Sequence, residues 1–328
     1  LPVEKVYSYN PVPKQLDASK AKFIEGAQGS LWTEYIGNPS KVEYMIFPRM
    51  SALREVVWSP NEAKYWKGFE KRLQVQFKRY DLWKANYSKA YFDISASLFP
   101  TQNFDCVSWK LESKYPNAQI ETRNGLNKSA LRLSKFVKYN GAINVNKTSV
   151  YESRLFSNGK QLGNSLFQNF YFNKATGKKV SITATPSSKY PGQGGAFSLV
   201  NGVYSQKGLS YPDWLGWVGD DMEATIDLGK TTSFDSVRVH TVDQNGSWIY
   251  LPQYVEVLTS NDGNNFTSVG KSSTFVADTL TMGWINVTTP KQSARFIKVV
   301  AKNYGMIPDG KPGAGNKAWL FADEIQIF

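Results

Sequence analysis

One cysteine, one histidine and no apolar run near the ~20 residues of a membrane-spanning helix define what this 328-residue chain goes without. The single cysteine, Cys106, excludes an intramolecular disulfide, and together with His240 it excludes the Cys/His zinc frameworks. A lone imidazole cannot supply the i, i+4 histidine pair of a metalloprotease helix. Any Ser-His-Asp triad would have to be built around His240. No signal peptide is visible and residue 1 is leucine, so the chain reads as an excised or processed piece of something longer.

What is present is ordinary for a globular protein: 41% hydrophobic and 20% charged residues, with ten tryptophans. The length predicts two or three domains. The net charge of +12 is uneven, with +6 over residues 1–91, +9 over 92–190 and −3 over 191–328. The basic residues are mostly scattered lysines, with only nine arginines and no recognisable reading element. That pattern describes a soluble basic surface rather than a nucleic-acid interface.

Periodicity separates three regions. Residues 1–91 read as strand, loop, helix, helix, with a buried strand over Phe23–Trp32. Ser40 with Glu43 forms a capping-box pattern opening a helical stretch to Trp58 that Pro48 interrupts. Ser59-Pro60-Asn61-Glu62 signals the next helix start, and Trp66, Phe69, Leu73, Phe77 and Tyr80 mark its buried face. Residues 92–190 change to short alternating segments: Val107–Leu111, Ala118–Thr122, Ala130–Lys138, Val150–Phe156, Ser165–Phe172 and Lys179–Thr185. Asn158-Gly159 is a hairpin signal between two of them. Residues 191–328 predict strands at Met222–Leu228, Ser236–Thr241, Tyr254–Ser260, Gly283–Val287, Arg295–Ala301 and Ala322–Phe328. All five tryptophans of this region are expected in or beside its loops.

The run Gly26-Ala27-Gln28-Gly29-Ser30-Leu31-Trp32-Thr33-Glu34-Tyr35 resembles the end of the catalytic barrel of family 20 glycoside hydrolases, the β-N-acetylhexosaminidases and chitobiases. So do Val42–Met50 and Ala52–Trp58, although Arg54 stands where that family commonly has a small residue. The resemblance implies that Trp32 walls a sugar pocket and Glu34 accepts hydrogen bonds from sugar hydroxyls. It also implies an adjacent Asp-Glu pair that orients the substrate's own acetamido nucleophile and protonates the leaving oxygen. The only Asp-Glu dipeptide, Asp323-Glu324, lacks the histidine and glycines that precede such a pair and lies on a terminal strand. The chain alone is therefore expected to be inactive.

The middle region, with Ile120–Gly125 and Ser157–Lys160, resembles the β-sandwich spacer that follows the barrel in chitobiase-type enzymes. The last region resembles discoidin-like (coagulation factor type C) domains, the jelly roll of family 32 carbohydrate-binding modules. Ala224–Lys230, Pro252–Val257, Ser260–Phe266, Ala294–Val299 and Ala322–Ile325 occur in that family's order. This second resemblance implies a structural calcium near Asn201 and Glu324, although Asn201 replaces the family's aspartate. Sugar would be taken by loop side chains, the candidates being Trp214, Trp217, Asn245, Trp248, Tyr304 and Trp319. His240, on an alternating strand, is expected to be packed.

The expected fold class is mainly β: terminal strand-loop-helices of a TIM barrel over 1–91, a fibronectin/Ig-like β-sandwich over 92–190, and a discoidin-like jelly roll over 191–328. The implied function is that of the C-terminal part of a periplasmic, secreted or cell-surface bacterial β-N-acetylhexosaminidase working by substrate-assisted retaining catalysis. It would need no cofactor for its reaction. Its partners would be glycans with N-acetylhexosamine or galactose-type sugars, and the missing barrel portion. A stand-alone carbohydrate-binding or adhesion protein is the alternative.

Overall fold

The computed structural model describes every residue except Asn117 and Tyr211, and the side chains of all the others except Tyr35 and Ser210. The chain divides into two units. One comprises Leu1–Ile94 with Ser113–Gln119 and Arg154–Ser165, the other Ser95–Glu112, Ile120–Ser153 and Leu166–Phe328.

The first unit holds helices α1 (Val3–Tyr7), α2 (Pro39–Ile46), α3 (Arg49–Trp58) and α4 (Trp66–Leu82). The periodic face of α4 is buried as expected through Phe69, Leu73, Phe77 and Tyr80. Tyr7 stacks on Phe69 at 4.4 Å, and Phe77 packs on Phe92 at 4.8 Å. The break at Pro48 separates α2 from α3. The cap of α2 differs from the expected one. Asn38 Oδ1 accepts from Lys41 N–H at 2.9 Å, with Pro39 as first helical residue. Ser40 and Glu43 instead hold Asn86, which donates its backbone N–H to Glu43 at 2.7 Å and its amide to Ser40 Oγ at 2.8 Å. Ser59-Pro60 precedes only a single 3-10 turn, Asn61–Ala63, and α4 begins at Trp66.

No strand forms over Phe23–Trp32. Phe23 ends a 3-10 turn and is 72% exposed, and the following backbone has no ladder partner among the described residues. Parallel barrel strands are held by neighbours on both sides, and without such pairing extended backbone is not a strand.

The β-rich remainder begins with β1 (Ile94–Pro100), β2 (Val107–Ser113), β3 (Gln119–Gly125), β4 (Val137–Lys138), β5 (Ile143–Val145), β6 (Ser149–Ser157) and β7 (Lys160–Phe170). They form two sheets, ordered β1-β2-β5 and β4-β3-β6-β7. Trp109 on β2 is fully buried against Tyr151 and Phe170 at 5.0 and 5.6 Å. The Asn158-Gly159 turn connects β6 to β7 with positive φ at both residues, as the hairpin signal required. The first half of the strand expected over Ala130–Lys138 is a helix, α5 (Lys128–Leu133), because Asn127 caps it through Ala130 N–H at 2.9 Å.

The largest sheet contains β8 (Lys179–Ile182), β9 (Leu215–Val218), β10 (Met222–Val242), β11 (Tyr254–Ser260), β12 (Thr267–Ser272), β13 (Phe275–Thr279), β14 (Met282–Lys302) and β15 (Trp319–Ile327). Four of the expected strands are halves of two long ones. Residues 222–227 of β10 pair with 296–301 of β14, and 236–242 pair with 282–288, with register shifts between. Each long strand thus serves two five-stranded arms, β8-β10-β14-β11-β12 and β9-β15-β10-β14-β13. At the corner Gly229 has φ +80°, and Asp227 takes both a 2.8 Å bond from Gly229 N–H and a bidentate grip from Arg295 at 2.9 Å. Strand β8, expected with the middle region, pairs with β10.

Candidate functional site

Two loops at one end of the jelly roll, β10–β11 and β14–β15, bring aromatic and polar side chains together. Trp248 is 43% exposed and has a left-handed backbone, φ 63°. For a bulky residue that conformation costs on the order of 1–3 kcal/mol and needs support from its surroundings. Support comes from hydrogen bonds of Trp248 N–H to Asn245 O and of Trp319 N–H to Trp248 O, each 2.9 Å. The indole also lies on Gly313, where an added Cβ would stand 2.6 Å from the ring. With its amide turned so that the nitrogen faces two acceptors, Asn245 ties the turn by donating to Ile249 O at 3.1 Å and Asp243 Oδ1 at 3.0 Å.

Beside this platform Tyr304 stacks on Tyr250 at 4.8 Å, and Lys311 Nζ donates to the Tyr304 hydroxyl at 2.6 Å. Tyr250 in turn donates to Pro312 O at 2.9 Å, which fixes the loop that carries Lys311 and Gly313. Asp243 is half-buried, and burial pushes its carboxyl up while nearby Lys311 opposes the shift. An exposed ring face flanked by an ammonium, a carboxylate and a phenol is suited to a hydroxylated ring with one apolar face. Of the sequence candidates, Asn245, Trp248 and Tyr304 stand here. Tyr250, Lys311, Asp243 and Gly313 were not anticipated, since single loop residues carry no periodic signal.

Trp319 lies at the margin, half-buried between Tyr190 and Phe321 at 5.5 and 5.6 Å. The structure corrects the expected loop exposure of Trp214 and Trp217, which are each 1% exposed. Trp214 Nε1 donates to Gly208 O at 3.0 Å and its ring stacks on His240 at 5.4 Å. Trp217 sits on β9 opposite Leu320 and donates to Ala184 O at 2.9 Å. Pairing of β9 with β15 carries Trp217 inward, Trp214 just ahead of β9 packs with Val242, Ile249, Met282 and Phe321, and both N–H groups are satisfied by backbone. Trp284 is likewise a buried strand residue.

The residues named for calcium do come together. Glu324 is fully buried on β15, and its carboxylate accepts from Gly202 N–H at 3.2 Å and the Asn173 amide at 3.5 Å. Burial, then the neighbouring Asp323 carboxylate, push its carboxyl well up. Asn201 is buried beside it, with Oδ1 accepting from Val203 N–H at 2.8 Å. Among the described residues no three His, Cys, Asp or Glu side chains cluster around a metal position. A carboxylate and an amide oxygen are donors of the kind a hard oxygen-seeking cation takes, not those of a zinc-type metal. Asn173 was not anticipated.

Asp323 does something else. Its Oδ1 lies 2.6 Å from His240 Nδ1 and its Oδ2 accepts from Ser205 N–H at 2.7 Å. His240 is fully buried, as expected, among Trp214, Tyr204 and Trp284.

In the first unit Trp32 is 81% exposed, and Glu34, two residues on, is exposed in the turn Thr33–Tyr35. Neither makes a side-chain hydrogen bond among the described residues, so ring and carboxylate are both open to a ligand.

Residues 1–61 match the family model of the glycosyl hydrolase family 20 catalytic domain, and residues 181–318 match that of the F5/8 type C domain. A β-hexosaminidase of Porphyromonas gingivalis (strain ATCC BAA-308 / W83) is 40% identical over 86 residues. That match spans 26% of this chain and only 11% of the relative's length. Among solved structures, the CpGH89CBM32-5 module from Clostridium perfringens in complex with GalNAc-β-1,3-galactose aligns at 16% identity with a TM-score of 0.31. The alignment covers 46% of this chain and 94% of that one. The lectin domain of lectinolysin complexed with Lewis B antigen aligns at 20% identity and TM-score 0.34, covering 48% and 96%. Among the described residues no helix is long and apolar enough to cross a membrane.

Proposed function

We propose that this chain is part of a glycosidase acting on terminal N-acetylhexosamine outside the cytoplasm, and that its jelly roll holds the enzyme to glycans. The observation that carries the binding role is the Trp248 platform, a strained and exposed indole seated on Gly313 beside Tyr304, Lys311 and Asp243. The catalytic assignment rests on the barrel-like segment, in which Trp32 and Glu34 would line the sugar pocket. The acid that protonates the leaving group would come from elsewhere in the parent. The chain's one Asp-Glu dipeptide is fully buried, so no substrate reaches it. Substrate-assisted retention follows from the family resemblance. A structural calcium would be held by Glu324 and Asn201 with backbone oxygens, and would neutralise a carboxylate that burial disfavours.

Binding of the full chain to a glycan array of N-acetylhexosamine- and galactose-terminated oligosaccharides tests the platform. Trp248→Ala removes one stacked ring and is expected to weaken binding about five- to thirtyfold, since such contacts are worth on the order of 1–2 kcal/mol. Unchanged binding by this variant would move the site elsewhere. Hydrolysis of a chromogenic N-acetylglucosaminide by the chain alone would overturn the assignment of the acid to another part of the parent.

A further inference from the structure

Helices α3 and α4 of the first unit flank a groove of about 430 Å³. Its floor is Phe69 and Leu73, only 3% and 1% exposed. One rim carries Arg54 and Trp58, four residues apart on α3 and therefore on one face. The other carries Arg72 and Arg79, two turns apart on α4.

The charges here do not cancel. Glu55, the one acid lining the groove, is gripped by both Nε and a terminal nitrogen of Arg72 and accepts from Tyr7 OH at 2.9 Å. Arg72 and Glu55 neutralise each other. Arg54 makes no hydrogen bond or ion pair among the described residues, and the one contact of Arg79 is a 3.4 Å bond to Gln76. Trp58 is 83% exposed. The groove therefore presents two uncommitted guanidinium groups and a bare indole.

We propose that this groove binds an acidic glycan, a sugar bearing a carboxylate or sulfate ester. The guanidinium forks of Arg54 and Arg79 take the anionic oxygens and Trp58 takes the apolar face of the ring. A protein partner would need an anchoring apolar surface and about 800 Å² per side. The apolar floor is already buried, and the groove volume falls in the range of small-ligand pockets, about 300–1,000 Å³. The inference does not depend on the jelly-roll site. Arg54 is also the position at which the sequence departs from the small residue common in the barrel family.

The test is calorimetric titration of the full chain, in moderate salt, with a heparin-derived tetrasaccharide, its desulfated N-acetylated counterpart and poly-L-glutamate. Binding of the sulfated tetrasaccharide alone is expected, weakened about tenfold or more by Arg54→Gln, Arg79→Gln and Trp58→Ala separately. Trp248→Ala should leave it unchanged, which separates this groove from the jelly-roll platform. All the substituted side chains are exposed, and unchanged thermal unfolding of each variant checks the fold. Binding of poly-L-glutamate as tightly as of the tetrasaccharide, or full binding by Trp58→Ala, would reduce the groove to a non-selective basic patch and overturn the proposal. No binding of the sulfated tetrasaccharide would overturn it outright.

Discussion

Replacing Asp323 by alanine tests whether its carboxylate belongs to the fold. The side chain is fully buried, with Oδ1 at 2.6 Å from His240 Nδ1 and Oδ2 at 2.7 Å from Ser205 N. Truncation leaves two buried groups without partners. At about 1–3 kcal/mol for each, the expected loss for Asp323→Ala is about 2–6 kcal/mol. Asp323→Asn discriminates between explanations. Its amide oxygen keeps Ser205 N–H and its NH₂ faces Nδ1, which accepts once the imidazole proton moves to Nε2. Nε2 has no partner in the native structure, so the tautomer change forfeits no bond there. The expected loss for Asn is about 1 kcal/mol. Urea unfolding of the full chain, followed by near-UV circular dichroism of the buried tryptophans, measures both. Equal losses for the two variants would refute the neutral hydrogen-bond account and require an ion pair. Wild-type stability of Asp323→Ala would refute the geometry itself.

The acid response of the first unit should depend on Glu55. Burial opposes its ionisation, but hydrogen bonds from Arg72 and Tyr7 outweigh this and hold the carboxyl below its ordinary value. A carboxyl lowered on folding contributes stability above the unfolded pKa, and that contribution disappears as pH falls through the folded pKa. Glu55→Gln should therefore be less stable than wild type at pH 6, by a gap that narrows as the pH is lowered towards 3 in denaturant titrations. An equal gap at both pH values would contradict this. Calcium should raise the melting temperature of the second unit, by about 2.7 kcal/mol of stability at a hundredfold excess over Kd. Because burial raises the Glu324 carboxyl and a cation takes the carboxylate form, calcium affinity should fall as the pH is lowered in calorimetric titrations. Identical unfolding in calcium and in EDTA, for wild type and Glu324→Gln alike, would remove the metal from the account.

Local signals survived where the chain alone decides the outcome. The α4 stripe from Phe69 to Tyr80 needs only one face covered, and Asn158-Gly159 needs only its own φ preferences. Tertiary pairing decided the rest. Phe23–Trp32 has a strand's composition, yet among the described residues nothing pairs with it. Ala130–Lys138 alternates like a strand, but the Asn127 cap wins its first half for a helix. Gly229 and Lys230 resemble a loop between strands, whereas β10 turns its corner there while the ladder resumes on a second arm. The candidate site was legible in kind and only partly in detail. Five tryptophans near turn sequence look alike in one dimension. Strand pairing buries Trp217 and Trp284 and partly covers Trp319, core packing just ahead of β9 buries Trp214, and Trp248 stays exposed on a left-handed turn.

The same dependence on pairing explains the Asp-Glu dipeptide. On β15, Ala322 pairs with Thr241 and Glu324 with His240, and the register shift between them leaves Asp323 as the extra residue. A bulge of this kind re-aims its side chain, here onto the imidazole of His240 and the amide of Ser205. Glu324, restored to the ladder, instead meets Gly202 and Asn173. Two adjacent carboxylates could work on one substrate only if both faced it, and these are divided between different interior partners with no exposed oxygen. The dipeptide joins the last strand to two loops. Asp323 and Glu324 are therefore interior contacts of this strand and not a pair facing one substrate.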